Sequence, residues 1–227
     1  LATIDDKTPT AAEEIWDGLD GTTTGGLVGA AGNTGVINYV NTFEGVTVNA
    51  AYRKGSGAAN SDGSSSGAGQ GAYDVALTTT GEMLGVDGLA VGIGYGEAEN
   101  GSQSSTSCTR DDDYHYTGFA NYSAGPVTFG YQMSHIDTGT CGGTNETTDA
   151  WGIAFNVNDD LSISYGEREV EYVKASAVNV TEDGEGIAVA YTMGSMKIAG
   201  NRNEVSDNDG TAGSNDEMTE IALSFAF

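Results

Sequence analysis

Apolar side chains in this chain recur at every second position, in short bursts, with small or polar residues between them. The C-terminal stretch shows the pattern plainly: Thr219, Ile221, Leu223, Phe225 and Phe227 share one parity, and Met218, Glu220, Ala222, Ser224 and Ala226 the other. A period of two marks a β-strand whose two faces meet different surroundings. The same alternation predicts eleven strands, near residues 36–42, 46–54, 71–80, 89–97, 113–124, 127–135, 148–157, 161–170, 185–192, 196–203 and 217–227. No segment carries a helical period.

The connections alternate in length. Short turns fall at Phe43 to Gly45, Gly85 to Gly88, Gly125-Pro126, Asn158 to Asp160 and Met193 to Ser195. Long loops rich in Gly, Ser, Asn and Asp fall at 55–70, 98–112, 136–147, 171–184 and 204–216. A soluble sandwich has no reason to keep its long loops at one end, whereas a barrel crossing a bilayer does. In hydrocarbon every backbone N–H and C=O must be paired, so only helices and closed barrels span it. No run of apolar residues is long enough for a spanning helix. The pattern therefore predicts an all-β fold, an antiparallel transmembrane β-barrel with its apolar parity toward lipid. Gly, Ser, Thr, Asn and Ala on the other parity imply a wet lumen, since a dry centre would need branched aliphatics there. Tyr52, Tyr73, Tyr95, Tyr114, Tyr116 and Trp151 lie near strand ends, as interfacial girdles require; ordinary cross-strand packing is the plainer reading of each alone.

Charge narrows the functions. Eight basic residues against 33 acidic ones give a net charge of -25, which removes the basis for binding nucleic acid. The chain begins at Leu1 without a basic or apolar leader, so either a signal peptide has been removed or the sequence is part of a longer chain. Cys108 and Cys141 are its two cysteines, in successive long loops; a surface disulfide and two free thiols are both open, and the even pair favours an oxidising compartment.

The stretch Asn33 to Tyr52, with Ile37, Tyr39, Phe43, Gly45 and Val46, resembles a hairpin of the general, 16-stranded porins of Gram-negative bacteria, particularly alphaproteobacterial ones. In that family this hairpin follows the inward-folded third loop. The ending Ile221 to Phe227 resembles the outer-membrane assembly signal, closed by Phe227 and read by the barrel assembly machinery. The resemblance covers residues 33–227. It implies that residues 1–34 are an acidic, inward-folded constriction loop and that 35–227 carry strands six to sixteen, with long extracellular loops and short periplasmic turns. A competing arrangement pairs 22–31 with 35–42 to complete a twelve-stranded barrel. The resemblance also implies a homotrimer in outer-membrane lipid.

Under that reading Asp5, Asp6, Glu13, Glu14, Asp17 and Asp20 line the pore constriction. Confined carboxylates gather cations and repel anions, so the expected function is a passive diffusion channel for small hydrophilic solutes and ions, selective for cations. Arg53, Arg168 and Lys197 have inward parity and are the candidate lumen cations. Asp111, Asp112 and Asp113 are rich enough in oxygen to hold Ca2+ in a loop, as are Asp159-Asp160 and Asp207 with Asp209, but none matches a calcium-binding hand; scattered solvated charge is the plainer reading and no cofactor is expected. Two other classes compete. An outer-membrane enzyme of protease or phospholipase type would use His115 or His135; an extracellular acidic calcium-binding adhesin would show a fixed short repeat, which this chain lacks. Gly63 to Gly67 fits the letters of a nucleophile elbow without its strand-to-helix context.

Overall fold

The computed structural model describes residues 4, 6–19, 29–32, 35–55, 71–99, 111–139, 142–175 and 177–226. Its eleven strands lie in one sheet in chain order, each antiparallel to the next. They are β1 (Val36–Phe43), β2 (Val46–Arg53), β3 (Ala72–Thr80), β4 (Leu89–Ala98), β5 (Asp113–Ala124), β6 (Val127–Asp137), β7 (Thr144–Asn156), β8 (Leu161–Lys174), β9 (Val180–Met193), β10 (Met196–Ser206) and β11 (Asp216–Phe225). Among the described residues β1 pairs only with β2 and β11 only with β10. The stretch 29–32 forms no strand beside β1.

Helix is confined to a single turn, α1 (Gly81–Leu84), before the β3–β4 turn, and to a 3-10 turn at Asn208–Gly210. Alternation predicts neither, because three or four residues are too few to establish a helical period. Four strands also run further than their apolar alternation. Strand β7 starts at Thr144, β8 ends at Lys174, β9 starts at Val180 and β10 ends at Ser206. The extra residues sit on the long-loop side, where the outward positions turn from Trp151, Tyr165 and Ile187 to Asp149, Glu167, Glu169, Asp183 and Glu185. Backbone pairing continues there although the outward face has left hydrocarbon, so the pattern of apolar residues ends before the ladder does.

The two faces differ as the pleat requires. Outward positions such as Ile37, Ile93, Ile187, Ile221 and Leu223 are exposed, and the inward positions between them are small or polar: Ala76, Gln132, Ser134, Ala150, Ser164 and Ala188 are buried. Aromatic contacts run along the outward face from strand to strand. Tyr73 meets Tyr95 at 6.2 Å between ring centres, Tyr95 meets Tyr114 at 6.4 Å, and Trp151 meets Tyr165 at 5.7 Å. The phenols of Tyr73 and Tyr95 donate to Glu97, those of Tyr131 and Tyr165 to Asp149, Glu167 and Glu185. An apolar body with a polar tip, set where apolar wall gives way to carboxylates, is how an interfacial girdle works. No helix in the described residues is long and apolar enough to cross a membrane; the strands provide the crossing.

Candidate functional site

A row of inward-facing glycines crosses the middle of the wall. Register aligns Gly130 of β6 with Gly152 of β7, Gly152 with Gly166 of β8, and Gly166 with Gly186 of β9. Asn121 of β5 precedes the row and Asn203 of β10 follows it. Lacking side chains, the four glycines form a trough, and residues 7–17 lie in it. A Cβ on Gly152 would come within 2.8 Å of the Pro9 carbonyl oxygen, and one on Gly186 within 2.9 Å of Ile15 Cγ2. Here glycine is required by close approach rather than by its backbone angles.

Polar side chains of the same wall hold the segment's backbone. Gln132 donates to the Ile4 carbonyl at 2.8 Å and accepts the Lys7 N–H at 2.7 Å. Asn121 donates to the Lys7 carbonyl, Ser164 accepts the Ala11 N–H, and Asn203 donates to the carbonyls of both Glu14 and Asp17. These backbone groups thereby find partners outside regular structure. Trp16 lies over the Arg168 guanidinium, 4.9 Å from its carbon to the ring centre. Ile4 packs with Ala76, Ile136 and Phe119 in a small apolar cluster on the inner face. A second stretch, 29–32, is held further along the wall by Asp74 of β3 and His115 of β5.

The inward segment presents acid. Among the described residues the one group of three carboxylates with oxygens within 4.8 Å of one another is Glu13, Glu14 and Asp17. Glu13 titrates above the ordinary carboxylate range because it shares a hydrogen bond with Asp17, is partly desolvated, and lies in the fields of Asp17, Glu14 and Glu220. Asp6 is half-buried at the start of the segment. Asp5 and Asp20 lie outside the described residues, as do Cys108, Cys141 and Phe227.

The three candidate lumen cations are not equivalent. Arg53 is half-buried at the outer end of β2, near Gly32, and Lys197 is exposed at the opposite, short-turn end of β10. Arg168 is buried and ion-paired with Glu182 at 2.9 Å, so its charge is balanced locally and it presents no open cation to the lumen. Inward parity locates a side chain's face and says nothing about the partner waiting there. Asp111, Asp112 and Asp113 do not converge into a group of three carboxylates. His115 faces inward and accepts the Gly29 N–H; His135 faces outward, stacked on Tyr116, with its Nδ1 at 2.9 Å from the Thr147 hydroxyl. The glycine row, its two asparagines, Gln132, Trp16, Glu182 and Asp74 all escape a reading of parity alone. Counting residues out from the short turns aligns Asn121 with Gly130, Gly152 with Gly166 and Gly186 with Asn203, but the long loops hide the alignment of Gly130 with Gly152 and of Gly166 with Gly186, so the trough is only partly readable in the sequence.

An antiparallel wall with an apolar outer band, aromatic girdles and a segment laid across its polar inner face defines a membrane-spanning barrel of the channel type. A family model described as Gram-negative porin matches residues 2–227, and the chain belongs to that family of the bacterial outer membrane. Solved structures share the fold. An anion-selective porin from Comamonas acidovorans is 12% identical with a TM-score of 0.63 over 85% of this chain and 59% of its own. A loop L8 deletion mutant of OmpT, an outer membrane protein of Vibrio cholerae, is 16% identical with a TM-score of 0.57 over 84% of this chain and 62% of its own. OmpT in its trimer form is 14% identical with a TM-score of 0.55, covering 94% of this chain and 69% of its own. The chain spans about 60% of the length of the first OmpT structures it matches. No curated protein sequence matches it significantly.

Proposed function

We propose that this chain forms the greater part of a passive diffusion channel whose constriction is the segment 6–19 and which prefers cations. The observation that carries the reading is the convergence of Glu13, Glu14 and Asp17 on a segment laid along the inner wall. Carboxylates crowded between low-dielectric walls raise the local cation concentration. Of the wall's inward cations Arg168 is neutralised by Glu182, Lys174 donates to the Gly210 carbonyl at the long-loop end, and Arg53 and Lys197 stand near opposite ends, so Lys7 is the one described cation on the segment itself against its three clustered carboxylates. A barrel of the same fold is an anion-selective porin, so the fold alone does not set selectivity and side chains such as these must.

Among the described residues β1 pairs only with β2 and β11 only with β10; a wall in hydrocarbon has to close, and five further strands would complete the 16-stranded barrel that the porin resemblance implies. The trimer form of a neighbour and the porin resemblance support a homotrimer in outer-membrane lipid, inserted by the barrel assembly machinery. No covalent step is assigned: His115 Nδ1 is taken by the Gly29 N–H, and the pair of His135 with the Thr147 hydroxyl stands on the outward face of the wall, stacked on Tyr116, away from the lumen. Single-channel recording across a salt gradient tests the reading. A reversal potential of cation sign is expected, shrinking when Glu13, Glu14 and Asp17 are changed together to amides. An anion-sign potential overturns the acidic filter, and absence of any conductance overturns the channel.

A further inference from the structure

The second inward stretch is held in a different way from the first. Three successive backbone amides are bound by two ionisable side chains: Gly29 N–H donates to His115 Nδ1 at 3.1 Å, Ala30 N–H to Asp74 Oδ1 at 2.9 Å, and Ala31 N–H to Asp74 Oδ2 at 3.0 Å. Ala30, Ala31 and Asp74 are all buried. Register explains how one short stretch reaches two strands. Asp74 of β3 lies opposite Gly96 of β4, and Gly96 lies opposite His115 of β5. A Cβ on Gly96 would collide with Asp74 and come within 3.1 Å of the Ala30 Cβ, so the missing side chain is what admits the stretch.

We infer that Asp74 and His115 are positioning residues of the constriction, and that His115 makes the seat of residues 29–31 dependent on pH; this rests on the channel reading above. An imidazole that accepts through Nδ1 must carry its proton on Nε2. Once protonated it bears N–H on both nitrogens and can accept nothing, so the Gly29 amide then faces another donor. The imidazolium also attracts the Asp74 carboxylate, whose charge already acts on the ring, and competes with Ala30 and Ala31 for it. Burial of the ring opposes the imidazolium and the Asp74 charge favours it. Strand β4 offers Gly96 and β6 offers Ile136, neither of them charged, and on β5 itself Asp113 lies two residues away on the same face. A single proton therefore weakens three adjacent anchors. The trough that holds residues 7–17 is built from glycines, amides and a hydroxyl, and it has no such dependence.

The test uses the whole protein in planar bilayers, taken from pH 8 to pH 5 at fixed salt, as wild type, His115→Asn and His115→Ala. Asparagine places its Oδ1 where Nδ1 stands and accepts at every pH. Wild type is expected to show a fall in conductance and roughly a twofold rise in open-channel noise at the acid end of this range. His115→Asn should lack the added noise throughout, keeping only the change that Glu13 protonation brings to every variant, and His115→Ala should show the added noise already at pH 8. Hydrogen exchange of the peptide containing residues 29–31, in detergent, compares wild type with His115→Asn at each pH so that intrinsic exchange rates cancel. Faster exchange in wild type is expected only on the acid side. Identical pH profiles in wild type and His115→Asn, by current and by exchange, overturn the inference while leaving the channel intact. If no variant conducts at any pH, the channel reading fails and the exchange comparison alone decides the seat.

Discussion

Arg168 on β8 and Arg202 on β10 sit on opposite faces of the wall with β9 between them, each against glutamate, at nearly the same distance. Arg168 meets Glu182 at 2.9 Å; Arg202 meets Glu204 at 2.7 Å and Glu217 at 2.8 Å. Length does not separate them, but surroundings do. The Arg168 and Glu182 side chains are 3% and 2% exposed, whereas those of Arg202, Glu204 and Glu217 are 49%, 47% and 68% exposed. The inner pair is also a junction. Trp16 of the inward segment covers the guanidinium, and Glu182 accepts the Tyr172 hydroxyl and the Asp209 N–H of the 3-10 turn. The outer pairs hold only each other. One arrangement of charges thus ties a constriction segment and an outer loop to the wall, and the other decorates a surface.

The largest expected effect is at the junction. Arg168→Met leaves Glu182 buried without its cation, which should cost about 3–5 kcal/mol. Urea unfolding in detergent measures it, and quenching of Trp16 fluorescence should rise as the indole loses its cover. Arg168→Met with Glu182→Leu should recover most of the loss, because no buried charge is then left alone. A single variant as stable as wild type would mean that the pair is solvated.

The trough should rank next. Gly152→Leu thrusts a side chain against the Pro9 carbonyl, where even a Cβ would stand 2.8 Å away. Overpacking of this kind costs about 1–3 kcal/mol, and the segment can lessen it by lifting from the wall, so a changed single-channel conductance is the sharper readout. An unchanged conductance would place the segment elsewhere in the membrane.

The strands and the constriction were legible to different depths, for a physical reason. Each strand announces itself because one face meets lipid and the other water, a contrast written residue by residue. Where that contrast fades, beyond Tyr165 on β8 and before Ile187 on β9, the ladder continues through Glu169 and Asp183 without an apolar signal. The inward segment was legible as acid but not as geometry. Glu13, Glu14 and Asp17 stand out by composition; that Asn203 holds the carbonyls beside them depends on register across strands nearly two hundred residues away in sequence. Arg168 shows the limit most sharply, since parity finds its face and only the fold supplies Glu182 and Trp16.

A smaller and graded effect follows from the acid cluster. Glu13 binds its proton above the usual carboxylate range, chiefly through its hydrogen bond with Asp17. Its folded-state affinity for a proton exceeds that of the unfolded chain, so its contribution to stability is present at low pH and is lost as pH rises through the raised value. The proposed cation preference runs the other way. On acidification Glu13 takes up its proton early, so the reversal potential should begin to decline above the ordinary glutamate value in wild type. In Asp17→Asn, which removes the partner's charge, the decline should start at lower pH. Coincident curves would detach Glu13 from Asp17.

The smallest effect belongs to Arg202, and it decides what the opening contrast means. Arg202→Met should change unfolding stability by no more than about 1 kcal/mol, because water and salt already screen a half-exposed guanidinium from its two glutamates. Raising salt should erase even that difference, whereas the cost of Arg168→Met should survive it, since ions do not reach a pair covered by Trp16 and the wall. Equal salt sensitivity for the two variants would show that burial is not what distinguishes them. The loss of Trp16 cover in Arg168→Met would then need a cause other than the buried charge.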